Sequence, residues 1–193
     1  MENLPSLIEK EFIKNLVLDK VAEKDEIGVY NEDSVKFELG FFFRKNGYNV
    51  QFERNITNYK IKKEKDQKSE VDLIVTDPNS GEKSAIEIKF PRNGEYPNQM
   101  KSFCRDIMFL EKLSKTGEFK NNPFMVFVDD DLFWKDANNR KKDGIYSFFR
   151  VEKPIPLNEL KGIKGIEIKG EYTVNWEYWD SKEECKYWIQ PII

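Results

Sequence analysis

The sequence predicts an α/β domain: a central mixed sheet with helices on both faces, elaborated at both ends. Three observations predict it. Residues 70–76 and 84–90 alternate apolar and polar side chains around a polar turn (Pro78, Asn79, Ser80, Gly81), the pattern of two half-buried strands in a hairpin. Residues 34–46 and 97–115 repeat apolar side chains at helical spacing on either side of that hairpin. Residues 124–128, Phe-Met-Val-Phe-Val, form a continuous apolar run, which suits a strand buried on both faces and parallel to a neighbour.

The bulk properties narrow the chemistry. A chain of 193 residues is long enough for one domain with a substantial core, and no linker or repeat divides 1–193. Histidine is absent, which excludes Ser-His-Asp and Cys-His nucleophiles, His-ligated zinc and an imidazole base. Acid–base work would fall on carboxylates, lysine, tyrosine or metal-bound water. A net charge of -3 is not that of a protein that coats nucleic acid, although 35% charged residues leave room for local basic patches. Aromatic residues at 14% argue against a disordered chain. Cys104 and Cys185 lie in apolar contexts without CxxC spacing and read as free buried thiols. No run approaches the ~20 apolar residues of a membrane span, and 1–4 carry no signal-peptide pattern. The expectation is a cytoplasmic protein with no membrane partner.

In chain order, 5–24 reads as an amphipathic helix with Leu7, Ile8, Phe12, Ile13, Leu16, Val17 and Val21 on one stripe. A loop at 25–33 leads to a second helix, capped by Asp33 or Ser34 and stopped at Asn46-Gly47. Its stripe is Val35, Leu39, Phe42 and Phe43. Glu38 lies on or beside that stripe, at the core margin or aimed at something. Residues 48–54 alternate as a strand. The charge run 60–68 reads as a solvated loop, or as a basic loop that touches phosphates.

In the hairpin, Val71, Leu73 and Val75 share one face and Glu70 and Asp72 the other. Ile86, Ile88 and Phe90 oppose Glu87 and Lys89. On the helix at 97–115, Gln99, Ser102 and Asp106 share a polar face. Asp129, Asp130 and Asp131 read as a metal site or, more simply, as loop acids and helix caps. The C-terminal third reads as a strand at 146–151, a hairpin of 163–168 and 172–178 turning at Lys169-Gly170, and a short final helix opened by a capping box at 181–184. The aromatic face Tyr172, Trp176 and Tyr178 either covers the core or stacks bases.

The chemistry converges on the hairpin. Asp72 and Glu87 on neighbouring strands can cradle Mg²⁺, which needs only one or two carboxylates and keeps waters and substrate phosphate oxygens in its shell. The Ile88 carbonyl can add an oxygen ligand. Lys89 shares the Glu87 face, where it can orient or help deprotonate water and stabilise phosphoryl charge. Glu38 could bind a second metal or a metal-bound water. Glu-x-Lys alone says little: Ile86-Glu87-Ile88-Lys89 recurs as Ile166-Glu167-Ile168-Lys169, with no Asp in the twenty residues before it. Only the context separates the two copies.

That context resembles the PD-(D/E)xK nuclease superfamily, the restriction-endonuclease-like fold. The family core is helix, three-strand meander, helix, strand; here 34–46, 48–54, 70–76, 84–90, 97–115 and 124–128 match it, within a span of 34–128. Asp72 matches the motif Asp, Glu87 and Lys89 match the (D/E)xK, and Glu38 matches the acid often found on the first helix. Gln99 stands where some members place a Gln on the helix after the lysine strand. Val71 replaces the motif Pro, which is often absent in the family. The N-terminal helical extension (1–33) and the C-terminal strands and helix (130–193) match nothing in it. The resemblance implies a three-layer α/β/α fold and a Mg²⁺- or Mn²⁺-dependent nuclease, with DNA as the expected substrate. It also implies a homodimer where both strands are cut. The rival reading is a catalytically silent member that binds nucleic acid or protein. A hydrolase of another phosphate ester would use the same site.

Overall fold

The computed structural model describes residues 4–18, 27–59, 61, 68–92, 94–135, 144–150, 155–179 and 185–193. The architecture is mixed α/β. Among the described residues eight strands form two sheets: a parallel pair of β1 (Leu16–Leu18) and β2 (Ile27–Val29), and a six-stranded mixed sheet. The larger sheet runs β3 (Asn49–Asn55), β4 (Glu70–Thr76), β5 (Lys83–Lys89), β6 (Asn122–Val128), β8 (Lys186–Ile192), β7 (Glu177–Tyr178). Strands β3, β4 and β5 form an antiparallel meander; β5 and β6 are parallel, and β6 pairs antiparallel with β8. The parallel step follows from the connection, since β5 and β6 are joined through the long helix α3 (Tyr96–Ser114).

Each face of the large sheet carries a helix. On one side Leu73, Val75, Ile86, Ile88, Met125 and Phe127 pack with Val35, Leu39 and Phe43 of α2 (Glu32–Lys45). On the other, Ile74, Ala85, Phe124, Val126 and Trp188 pack with Met100, Phe103, Cys104 and Ile107 of α3. Neither cysteine forms a disulfide and both are buried, as expected. The β4–β5 turn works as its residues suggest. The Asp77 side chain accepts from the Asn79 N–H at 2.8 Å, and Gly81 takes φ +72°, open to glycine at no steric cost.

Several expectations need correction. Of the helix predicted over 5–24, the described part is helical through Asn15, as α1 (Leu4–Leu7), a wide turn (Ile8–Phe12) and a tight one (Ile13–Asn15), and 19–24 lie outside the described residues. The apolar run that follows forms β1 and satisfies its backbone on β2, inside the predicted loop; Val21 lies outside the described residues. The α2 cap is Asn31, not Asp33 or Ser34: its side chain accepts from the Ser34 N–H at 2.8 Å while Ser34 Oγ accepts from the Asn31 N–H at 3.0 Å. Val71 joins the α3-side core, away from Leu73 and Val75. The strand loses its regularity at Asp72: the β3–β4 ladder skips it, the β4–β5 ladder ends at Leu73, and Glu53 opposite takes a left-handed φ of 49°.

The C-terminal third differs most. Residues 146–149 form a short helix, α4 (Tyr146–Phe149), not a strand. Alternation would have exposed one of Phe148 and Phe149, whereas the helical turn buries both. The hairpin of 163–168 and 172–178 reduces to β7. Ile166, Ile168, Tyr172 and Val174 cover the α3-side core, and the Trp176 indole N–H donates to the Phe149 carbonyl at 2.9 Å. Tyr172 and Trp176 therefore cover core, whereas Tyr178 is exposed, with the Lys186 ammonium over its ring. The capping box at 181–184 lies outside the described residues, and the chain after it forms the strand β8 where a short final helix was expected. Asp130 caps a tight turn (Asp131–Phe133) through the Leu132 N–H, Asp129 pairs with Arg92 and Asp131 with Lys135, so these acids serve as caps and ion pairs.

Asn31→Ala should cost about 1 kcal/mol through loss of the reciprocal cap. For a chain of this size that lowers Tm by roughly 2–4 °C. Thermal melts of the variant check it, and an unchanged Tm would mean the cap is not formed in solution.

Candidate functional site

Beyond Leu73, where the β4–β5 ladder ends, β4 and β5 part. The Asp72 carboxylate fills the opening and accepts from the Ile88 N–H at 2.9 Å. Glu87, next on β5, lies on the α3 side of the sheet and is fully buried. Ile88 N–H and C=O point to the same side of the strand. The Ile88 carbonyl therefore faces the opening, where Lys89 Nζ donates to it at 3.2 Å.

Among the described residues six charged side chains meet here. Lys68, just before β4, places its ammonium against Glu87, 3.7 Å from Asp72 and 3.8 Å from Asp106 of α3. Lys89 lies 3.3 Å from Asp106 and 3.6 Å from Glu32 at the start of α2. Four carboxylates against two ammonium groups leave two negative charges uncompensated when all are ionised. One oxygen of Glu87, Oε1, is buried without a hydrogen-bond partner. Asp106 Oδ2 is likewise without a hydrogen bond, although Lys89 is within ion-pair reach.

Burial and mutual repulsion set the protonation states. Burial pushes Glu87 well above the usual carboxylate range, and the Asp72 charge adds to it against the pull of Lys68. Burial likewise raises Asp106 and Glu32, with Lys89 opposing in both. Burial also works against Asp72, but Lys68, Lys89 and the Ile88 N–H outweigh it and hold Asp72 below its usual range. Burial opposes the charge on Lys68 and Lys89, and the surrounding carboxylates outweigh it, so both are raised. Lys89 thus stays an ammonium and suits stabilising charge, not removing a proton.

The structure brings Asp72, Glu87, the Ile88 carbonyl and Lys89 together. It does not bring Glu38 to them: Glu38 lines a groove with Lys10, Lys14, Phe41 and Phe42. Glu32, six residues earlier on α2 and roughly 120° around it, reaches the cluster instead. Gln99 stands two turns before Asp106 on the same helix face. No hydrogen bond among the described residues joins its side chain to Asp72, Glu87 or Lys89. Sequence reasoning missed Lys68, Glu32 and Asp106 as site residues. Asp106 had a signal, as part of the polar face of α3, and Lys68 stands at an even spacing before Asp72. The second Glu-x-Lys is a surface loop: Lys169 pairs with Glu167, both exposed, and Glu111 accepts from the Lys169 N–H at 2.9 Å and from that of Gly170.

Comparison with protein-family models, curated proteins and solved structures finds no match to this chain. Among the described residues no helix is long and apolar enough to cross a membrane.

Glu87→Gln should stabilise the protein at neutral pH. The raised Glu87 contributes stability fully at acid pH and loses it as pH rises through its raised value, beyond which the buried charge is a cost. Removing that charge is expected to gain about 0.5–2 kcal/mol. Melts in EDTA at pH 8 should show the variant above wild type, with a smaller gap at pH 5. A variant less stable at pH 8 would mean that the Glu87 carboxylate is ionised and satisfied.

Proposed function

We propose that this chain is a metal-dependent phosphodiesterase, a nuclease acting on DNA, with the three-layer restriction-endonuclease-like arrangement. The element order supports the fold reading: α2, the meander β3–β4–β5, α3 and β6, with α2 and α3 on opposite faces. The observation that carries the function is the fully buried Glu87 beside Asp72, with Oε1 lacking a hydrogen bond.

The residues fit Mg²⁺ or Mn²⁺. Among the described residues no group of three or more acids, cysteines or histidines forms a ready metal cage. Magnesium needs no such cage, since waters and phosphate oxygens complete its shell. Asp72 Oδ1, Glu87 Oε1 and the Ile88 carbonyl are oxygen donors at one opening. The cluster's excess of carboxylates over ammonium groups favours entry of a divalent ion. When bound, the ion would acidify an attacking water and offset phosphoryl charge.

The chain's own residues do the rest. The Ile88 N–H orients the Asp72 carboxylate. Glu32 and Asp106 hold Lys89 between them, so its ammonium is already placed when negative charge grows on the phosphoryl oxygens. Cutting both strands of a duplex would need two such sites, hence two copies of the chain.

One observation favours a second reading, a silent module that binds nucleic acid or protein. Lys68 already neutralises part of the acid cluster, as a permanent substitute for metal would.

Incubation with plasmid DNA and Mg²⁺ or Mn²⁺, beside Asp72→Ala and Lys89→Ala, tests the nuclease. Each variant should lose about 10²–10³-fold in rate. Equal cutting by wild type and variants would assign the activity to a contaminant and remove the site.

A further inference from the structure

The place of Lys68 in the cluster has a mechanical basis. Its ammonium contacts carboxylates from β4, β5 and α3 at once, so it sits between Asp72, Glu87 and Asp106 and not beside them. A cation inserted among these acids would take that position. The partner set is also incomplete, since Glu87 Oε1 stays without a hydrogen bond while Lys68 contacts Oε2. A single ammonium therefore leaves a fully buried carboxylate half satisfied.

The backbone around Lys68 lets it leave. The sheet holds the chain from Ser69 onward, where the Ser69 carbonyl accepts from the Ile56 N–H at 2.8 Å and Glu70 pairs with Asn55. Lys68 lies one residue before that point, outside the ladder. Its side chain is 32% exposed against 15% for Lys89, which is fixed within β5. The Lys68 ammonium can turn to water without breaking a strand pair.

We propose that Lys68 is the resident counter-cation of this cluster, seated where a divalent ion binds, and that metal loading displaces it. The inference rests on the metal-dependent reading above. The exchange is one of charge alone: Lys68 leaves protonated and one divalent ion enters, so the cluster gains one net positive charge. The competition lowers apparent metal affinity by the fraction of time Lys68 is out. It also holds the acids together before metal arrives.

Calorimetric titration with Mn²⁺ alone, on wild type, Lys68→Met and Lys89→Met, tests this, together with thermal melts in EDTA and in Mn²⁺. Lys68→Met should bind Mn²⁺ about tenfold or more tightly than wild type. Lys89→Met removes the same charge from an ammonium that pairs with Glu32 and Asp106 and with neither Asp72 nor Glu87, and should change affinity much less. Lys68→Met should also melt below wild type in EDTA and recover in Mn²⁺. If it does not fold, Lys68→Gln, which keeps a donor for Glu87, replaces it. Equal or weaker binding by the Lys68 variant overturns the displacement while leaving the metal site standing. Equal tightening in both lysine variants overturns it too, since net charge alone would explain the gain. No binding by any of the three overturns both this inference and the metal-dependent reading.

Discussion

A carboxylate with no exposed surface sits in the middle of the sheet, and the charges within reach are arranged around it. Glu87 is buried because β5 is an interior strand, flanked by β4 and β6 and covered by α3. An isolated charge there is costly, and a carboxylate in that setting takes up a proton or finds cations. This structure supplies both responses: Glu87 is raised and Lys68 lies against it. Asp72 completes the constraint. By bonding the Ile88 N–H it takes the place of a strand partner, and that substitution opens the sheet at the point where the acids meet.

Hydrophobic packing would not select this arrangement. Leu or Met at 87 would fill an interior strand position without partners. Replacing buried ion clusters by apolar side chains is often neutral or stabilising. Four acids and two lysines kept at one opening, with an unpaired buried oxygen, point to use over stability. Such departures from local consistency are expected where a chain does chemistry.

The middle of the chain was legible because its periodicities are strong and its packing agrees with them. The hairpin, α2, α3 and β6 bury the side chains that their patterns marked, and the turn at Gly81 forms where glycine allows it. The ends were not legible, for identifiable reasons. Residues 16–18 continue a helical stripe, yet their pairing with 27–29 is tertiary and invisible to a local pattern. Phe148 and Phe149 have strand propensity, but here a helical turn buries both in the α3-side core. Within the site, Asp72, Glu87 and Lys89 were readable because strand spacing brings them together. Glu38 was misplaced by helical phase, which sends Glu32 to the cluster. Lys68 was hidden in a charge run whose other residues gave no phase.

The opening between β4 and β5 is proposed to hold a divalent ion. Crystals soaked in Mn²⁺ and measured at its absorption edge test it most directly. The account predicts an anomalous peak bounded by Asp72, Glu87 and the Ile88 carbonyl, with the Lys68 ammonium turned out to solvent. No peak at saturating Mn²⁺, with Lys68 still seated against Glu87, would contradict it.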